Sequence, residues 1–153
     1  MRRFIAAALA QERSDIHGIA VPQVVPPRSH RLIPVSVRNV LTSWGWWQGP
    51  VAQPPSVHLL QVRDVLKALG WAQSLDITVT GRMCVRGAQS MLERTGHVTG
   101  HDRERAVQYM QKELANHGVT MAFHAWNDLP EQTLQKVEGL LTAAARMALE
   151  NGE

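Results

Sequence analysis

The chain has 153 residues, 44% hydrophobic and 19% charged, with a formal net charge of +3. That length and balance suit a folded domain with its own core and exclude wholesale disorder. The single cysteine excludes an internal disulfide and points to a reducing compartment, and no apolar run approaches the ~20 residues of a membrane span, so no membrane partner is expected. Residues 1–40 hold six basic and two acidic residues, against ten and eleven in the remainder, so the positive excess lies in the N-terminal quarter.

Taken in chain order, Met1-Arg2-Arg3 precedes the short apolar run Phe4 to Ala10, which has the outline of a weak export signal. The same letters place Phe4, Ile5, Ala8 and Leu9 on one helical face, and a helix near 2–13 in a cytoplasmic protein is the reading adopted. Seven of the eight prolines fall within 22–55, which predicts an extended or polyproline-like arm to about residue 35. Residues 1–36 therefore read as a basic, proline-rich helix and arm, and 37–153 as a single globular domain. Ser36 is placed to cap a short helix ending near Trp44. The segment Arg38-Asn39-Val40-Leu41, followed by Gly45-Trp46-Trp47-Gln48, is echoed by Arg63-Asp64-Val65-Leu66 and Gly70-Trp71-Ala72-Gln73. Each copy reads as a helix end, a left-handed glycine and a tryptophan turned back on the last turn.

Ser56 is expected to cap a helix whose Val57, Leu60, Val65, Leu66 and Leu69 face inward, ending at Gly70. In 71–83, Leu75, Ile77 and Val79 alternate with Asp76, Thr78 and Thr80, which predicts strand and hairpin with Gly81 in a turn. Helix resumes near Cys84 and stops at Gly96. Another runs from Asp102 to Asn116 with Val107, Met110 and Leu114 inward. Val119 to Ala125 reads as a short strand returning to the hairpin. The last helix spans 129–150 on the stripe Leu134, Val137, Leu141, Ala144 and Ala148, with Asp128 and Glu131 as a capping box around Pro130. The fold class that follows is α+β and mostly α-helical: four to six helices around a small antiparallel β hairpin or three-stranded sheet.

Three short motifs recur in a recognisable order: Gly70-Trp71-Ala72-Gln73; Gly81-Arg82-Met83-Cys84-Val85-Arg86-Gly87-Ala88; and Trp126-Asn127-Asp128 with Thr133 and Val137 after it. In this the segment from Leu66 to Ala148 resembles a family of small uncharacterised proteins from actinobacteria and their phages. The resemblance implies an intracellular domain of unknown function and carries over no activity. Ser74 stands where that family usually has glycine, which leaves the hairpin register open.

Cys84, at a helix N-terminus beside Arg82 and Arg86, has the setting of an activated thiol. With His124 and Asn127 or Asp128 it gives the chain order of a cysteine hydrolase or transferase. The competing reading, which we favour, is structural: Cys84, Gly87, Ala88 and Met91 form a face of small residues against which a helix or indole packs closely. Cys84, His97 and His101 have the spacing of half a zinc finger, with His117 or His124 to complete it, but 95–100 reads as loop, and no metal or cofactor is assigned. Trp44, Trp46 and Trp47 read either as a plug under the arm or as an exposed aromatic patch. With Arg28, Arg31 and Arg38 they are the candidate binding residues. The leading expectation is a non-enzymatic interaction protein whose Arg/Pro/Trp region meets a protein partner. Nucleic-acid binding through residues 1–47 is the alternative, and Cys84-dependent catalysis the third reading.

Overall fold

The computed structural model describes residue 26 and residues 28–153. The expected helix at 2–13 and most of the arm lie outside these residues. Among those described are seven α-helices: α1 (Arg28–Leu32), α2 (Val35–Ser43), α3 (Pro55–Leu69), α4 (Val85–Arg94), α5 (Gly100–Asn116), α6 (Phe123–Asn127) and α7 (Leu134–Glu150). The core is a helical sandwich in which α3 lies against α7 and α5, with α4 packed on its flank.

Periodicity explains these helices. Along α3, Leu59, Leu60, Val62, Val65 and Leu66 are fully buried, and Gly70 ends the helix at φ +92°, a conformation that only glycine adopts cheaply. Along α7, Val137, Leu141, Ala144 and Ala148 are fully buried, and the alanines let it approach α3 closely. In α5 the inward residues are Ala106, Met110 and Leu114, while Val107 is half-buried at the margin. Thr99 caps α5, accepting from the Asp102 amide at 3.1 Å, and Thr133 caps α7, accepting from the Lys136 amide at 3.3 Å.

Several expectations are overturned. Among the described residues there is no strand, hairpin or sheet, and the fold is all-α in place of α+β. The alternation in 71–83 is real, but its apolar members Leu75, Ile77 and Val79 are exposed, and only two isolated bridges form, Trp71 with Met83 and Ile77 with Met83. Backbone groups that a ladder would need are taken by other partners. Ser74 N–H donates to the Asp128 carboxylate at 2.8 Å, and Ser74 itself sits at φ +65°, breaking the extended run. Val119 to Ala125 is not a strand either, because the Gln111 side chain takes both a carbonyl and an amide there. Its Nε2 donates to the Met121 carbonyl at 2.7 Å and its Oε1 accepts from the Phe123 amide at 3.1 Å, which starts α6.

Three boundaries also move. The expected arm contains α1, a single helical turn that fits between Pro27 and Pro34, since a helix avoids the residue before proline. Ser36 and Ser56 lie inside the first turns of α2 and α3, whose N-caps are Pro34 and Pro54. Asp128 and Glu131 form no capping box for the last helix, which starts at Leu134. Asp128 instead ends α6.

Candidate functional site

The three motifs, distant in sequence, meet in one hydrogen-bonded clasp between the 71–83 loop, the N-terminus of α4 and the end of α6. Trp71 Nε1 donates to Asn127 Oδ1 at 2.9 Å, and Asn127 is 1% exposed. Gln73 Nε2 donates to the carbonyls of Asn127 and Leu129 at 3.2 and 2.7 Å. Asn127 Nδ2 and the Ser74 amide both donate to Asp128 Oδ1 at 2.8 Å. On the other side of the loop, Asp76 Oδ1 accepts from Arg86 Nε at 2.7 Å and from the Cys84 thiol at 3.4 Å. Arg82 Nε donates to the Trp71 carbonyl at 3.0 Å. The loop backbone lies so close to α4 that a Cβ on Gly87 would stand 1.7 Å from the Asp76 carbonyl oxygen.

Cys84 is buried within this clasp and acts as the N-cap of α4, its sulfur accepting from the Gly87 amide at 3.3 Å. Burial pushes the thiol above its ordinary value, and the Asp76 carboxylate pushes the same way, outweighing the helix-terminal amides of Gly87 and Arg86. Arg82 and Arg86, the cations placed to activate it, bond to the Trp71 carbonyl and to Asp76. His124 is exposed on α6 with its ring against Phe123, and no hydrogen bond joins it to Cys84. The clasp thus holds Cys84, Asn127 and Asp128 together as hydrogen-bonding fasteners and leaves His124 outside.

The metal candidates are not gathered. Among the described residues no group of three or more His, Cys, Asp and Glu side chains could hold a metal ion. His97 Nδ1 bonds to the Thr95 hydroxyl at 2.8 Å, and His101 is exposed.

The binding candidates divide in two. Trp44 and Trp46 are 63% and 77% exposed and meet edge to face, ring centroids 5.8 Å apart, and Arg28 lies on exposed α1. Trp47 is half-buried against His30, centroids 4.6 Å apart, with Arg31 nearby in sequence on α1. Arg38 is only 6% exposed, and its buried Nε has no hydrogen-bond partner among the described residues. Arg38 and Trp47 line a cavity of about 370 Å³ between α2 and the last turns of α4, together with Asn39, Gln48, Ser90 and Arg94. Burial, and secondly Arg94, hold the Arg38 guanidinium below its ordinary value. Burial also lowers His97, with His30 and Arg38 adding to the effect, so positive charge converges on this side of the molecule. Arg94 and the cavity were missed by sequence reasoning. The available signal was the run from Asp15 to Asp64, which contains no acidic residue and so offers Arg38 no local counter-charge.

Fold and clasp define a small helical protein in which three short motifs fasten a loop to two helix ends. The family described as a family of unknown function, DUF6197, matches residues 50–147, about two thirds of the chain. The chain belongs to that family. The match takes in the whole clasp and α3 to α6, while α1 and α2 precede it. No curated protein and no solved structure matches the chain. No helix among the described residues is long and apolar enough to cross a membrane.

Proposed function

We propose that this is a non-enzymatic interaction protein, cytoplasmic and from an actinobacterium or its phage, that meets a protein partner through the Arg- and Trp-bearing segment preceding the family core. One observation carries the reading. Leu32, Val35, Val37, Val40, Trp44 and Trp46 are all exposed on or just after two short helices, beside arginines that lack local carboxylates. Clustered exposed apolar and aromatic side chains flanked by arginine are the usual composition of an energetically dominant interface patch. The clasp then serves as rigid support, which fits its saturated hydrogen bonding and the raised pKa of Cys84.

Replacing Trp44 and Trp46 with serine should leave thermal stability unchanged, since neither ring is buried. Capture from actinobacterial lysate should recover a discrete protein with the wild-type chain, resist nuclease treatment, and fail with the double variant. Equal recovery by the double variant would contradict the reading. Recovery that disappears on nuclease treatment and weakens steeply with salt would favour the nucleic-acid alternative, for which Arg28, Arg31 and Arg38 supply phosphate contacts.

A further inference from the structure

A buried guanidinium nitrogen without a partner is an expensive feature. Desolvating a cation costs several kcal/mol unless a counter-charge or hydrogen bonds compensate, and the buried Nε of Arg38 has neither among the described residues. It is not recruited to cap α4, where the carbonyls of Met91, Leu92 and Glu93 already have other donors. The Thr95 hydroxyl donates to the carbonyls of Met91 and Leu92 at 2.8 and 3.2 Å, and the Gly96 amide donates to Glu93 O at 3.0 Å. The Gly96 carbonyl accepts from the Val51 amide at 3.1 Å. Glu93 also lines the cavity, but its Oε2 is engaged by Arg103 Nη1 at 2.8 Å. Arg94, on the same wall, makes no ion pair among the described residues. Two arginines therefore face an open concavity whose only carboxylate among the described residues is already paired.

We propose that this cavity receives a phosphate monoester, its dianionic head held by Arg38 and Arg94 and its ester group lying toward Trp47. A dianion balances both guanidiniums, whereas a single carboxylate would leave one uncompensated. Arginine forks match phosphate oxygens in paired hydrogen bonds. Asn39, Gln48 and Ser90 on the lining supply further donors for oxygen atoms. The volume of about 370 Å³ admits a phosphate with one ring-sized substituent. The inference rests on the proposed interaction surface for its location only. The monoester arrives either as a free small molecule or as a modified side chain on the partner.

The test uses the full chain titrated with inorganic phosphate, phenyl phosphate and phenylacetate, followed by the Arg38 Nε–H resonance and by tryptophan fluorescence. Phenyl phosphate should shift both signals and bind at least about tenfold more tightly than phenylacetate, with inorganic phosphate moving the Arg38 signal alone. Arg38→Met should weaken phenyl phosphate binding by about tenfold or more, while the remote exposed charge variant Lys112→Gln should not. In phosphate-free buffer Arg38→Met should also raise Tm by about 3 °C or more, because it removes an uncompensated buried cation. A purely structural arginine would lower it. Arg94→Gln, at an exposed residue, provides a second binding variant should Arg38→Met misfold. A phosphoserine peptide bound more tightly than phosphoserine itself would assign the monoester to the partner, and equal affinities would assign it to a small molecule. Equal affinity for phenylacetate, or unchanged phenyl phosphate binding in both arginine variants, would overturn the proposal. Partner capture depends on Trp44 and Trp46, which do not line the cavity, so either result can fail without the other.

Discussion

At the scale of single residues, Gly87 shows how a local rule is set aside for a contact. Within a helix, glycine costs about 1 kcal/mol relative to alanine, so Gly87→Ala should stabilise α4 if only propensity mattered. The Asp76 carbonyl stands where the added methyl would go, and it belongs to backbone, which cannot swing aside as a flexible side chain would. The clash should win. Gly87→Ala is expected to lower unfolding free energy by about 2 kcal/mol or more in urea titrations, and a variant as stable as the wild type would show that loop and helix do not touch. The small-residue face of Cys84, Gly87, Ala88 and Met91 was legible in the sequence, since close approach is the usual reason for a glycine inside a helix. What approaches was not, because the visitor is a loop carbonyl in place of a helix or an indole. Ser74 is a similar case. Its φ of +65° is a left-handed conformation that glycine adopts more cheaply than serine.

At the scale of elements, the helices of the family core were read with their glycine ends nearly in place, because apolar residues at spacings of three and four mark a buried face without help from the rest of the chain. The strands were misread for the converse reason. Alternation needs a neighbouring strand to become a sheet, and here Leu75, Ile77 and Val79 find no such neighbour. The start of α7 was misplaced because two capping signals compete in 128–136. Asp128 is held by its neighbour Asn127 and by Ser74, a partner invisible to local reading, which leaves Thr133 as the cap. The clasp itself was half legible. Its motifs stood out by composition, but their meeting depends on Trp71 and Gln73 reaching the 127–129 turn, a contact between segments more than fifty residues apart.

At the scale of the whole molecule, α3 carries a titratable group into the core. His58 is fully buried, neither ring nitrogen has a hydrogen-bond partner among the described residues, and burial, with Arg103 adding to it, lowers its pKa to about 4 against a partial opposing pull from Asp102. The unfolded chain takes up this proton near pH 6.5 and the folded chain only near 4, so between those values the unfolded state binds more protons. The stabilising contribution of neutral His58 is complete above pH 6.5 and is lost progressively as pH falls toward 4, by roughly 3 kcal/mol in all. Urea titrations from pH 7.5 to 4 should show that loss in the wild type, with His58→Phe lacking this share of the slope. Identical slopes in the two proteins would mean that the imidazole is not held neutral in the folded core.

On the proposed reading the same molecule divides its labour along the chain. The family-matched core fixes the clasp, the preceding α1 and α2 add exposed aliphatic side chains with the exposed tryptophans just after them, and Arg38 of α2 and Arg94 of α4 face a cavity where the two parts meet. That the clasp only fastens, and that recognition lies outside it, is the claim on which the rest depends, and the sulfur of Cys84 reports on it most directly. Alkylation of the native protein at neutral pH should be slow, paced by opening of the fold, and should become fast and complete in urea. Rapid modification of the folded protein at or below pH 7 would mark an activated, accessible nucleophile and would turn the clasp back into a candidate active site.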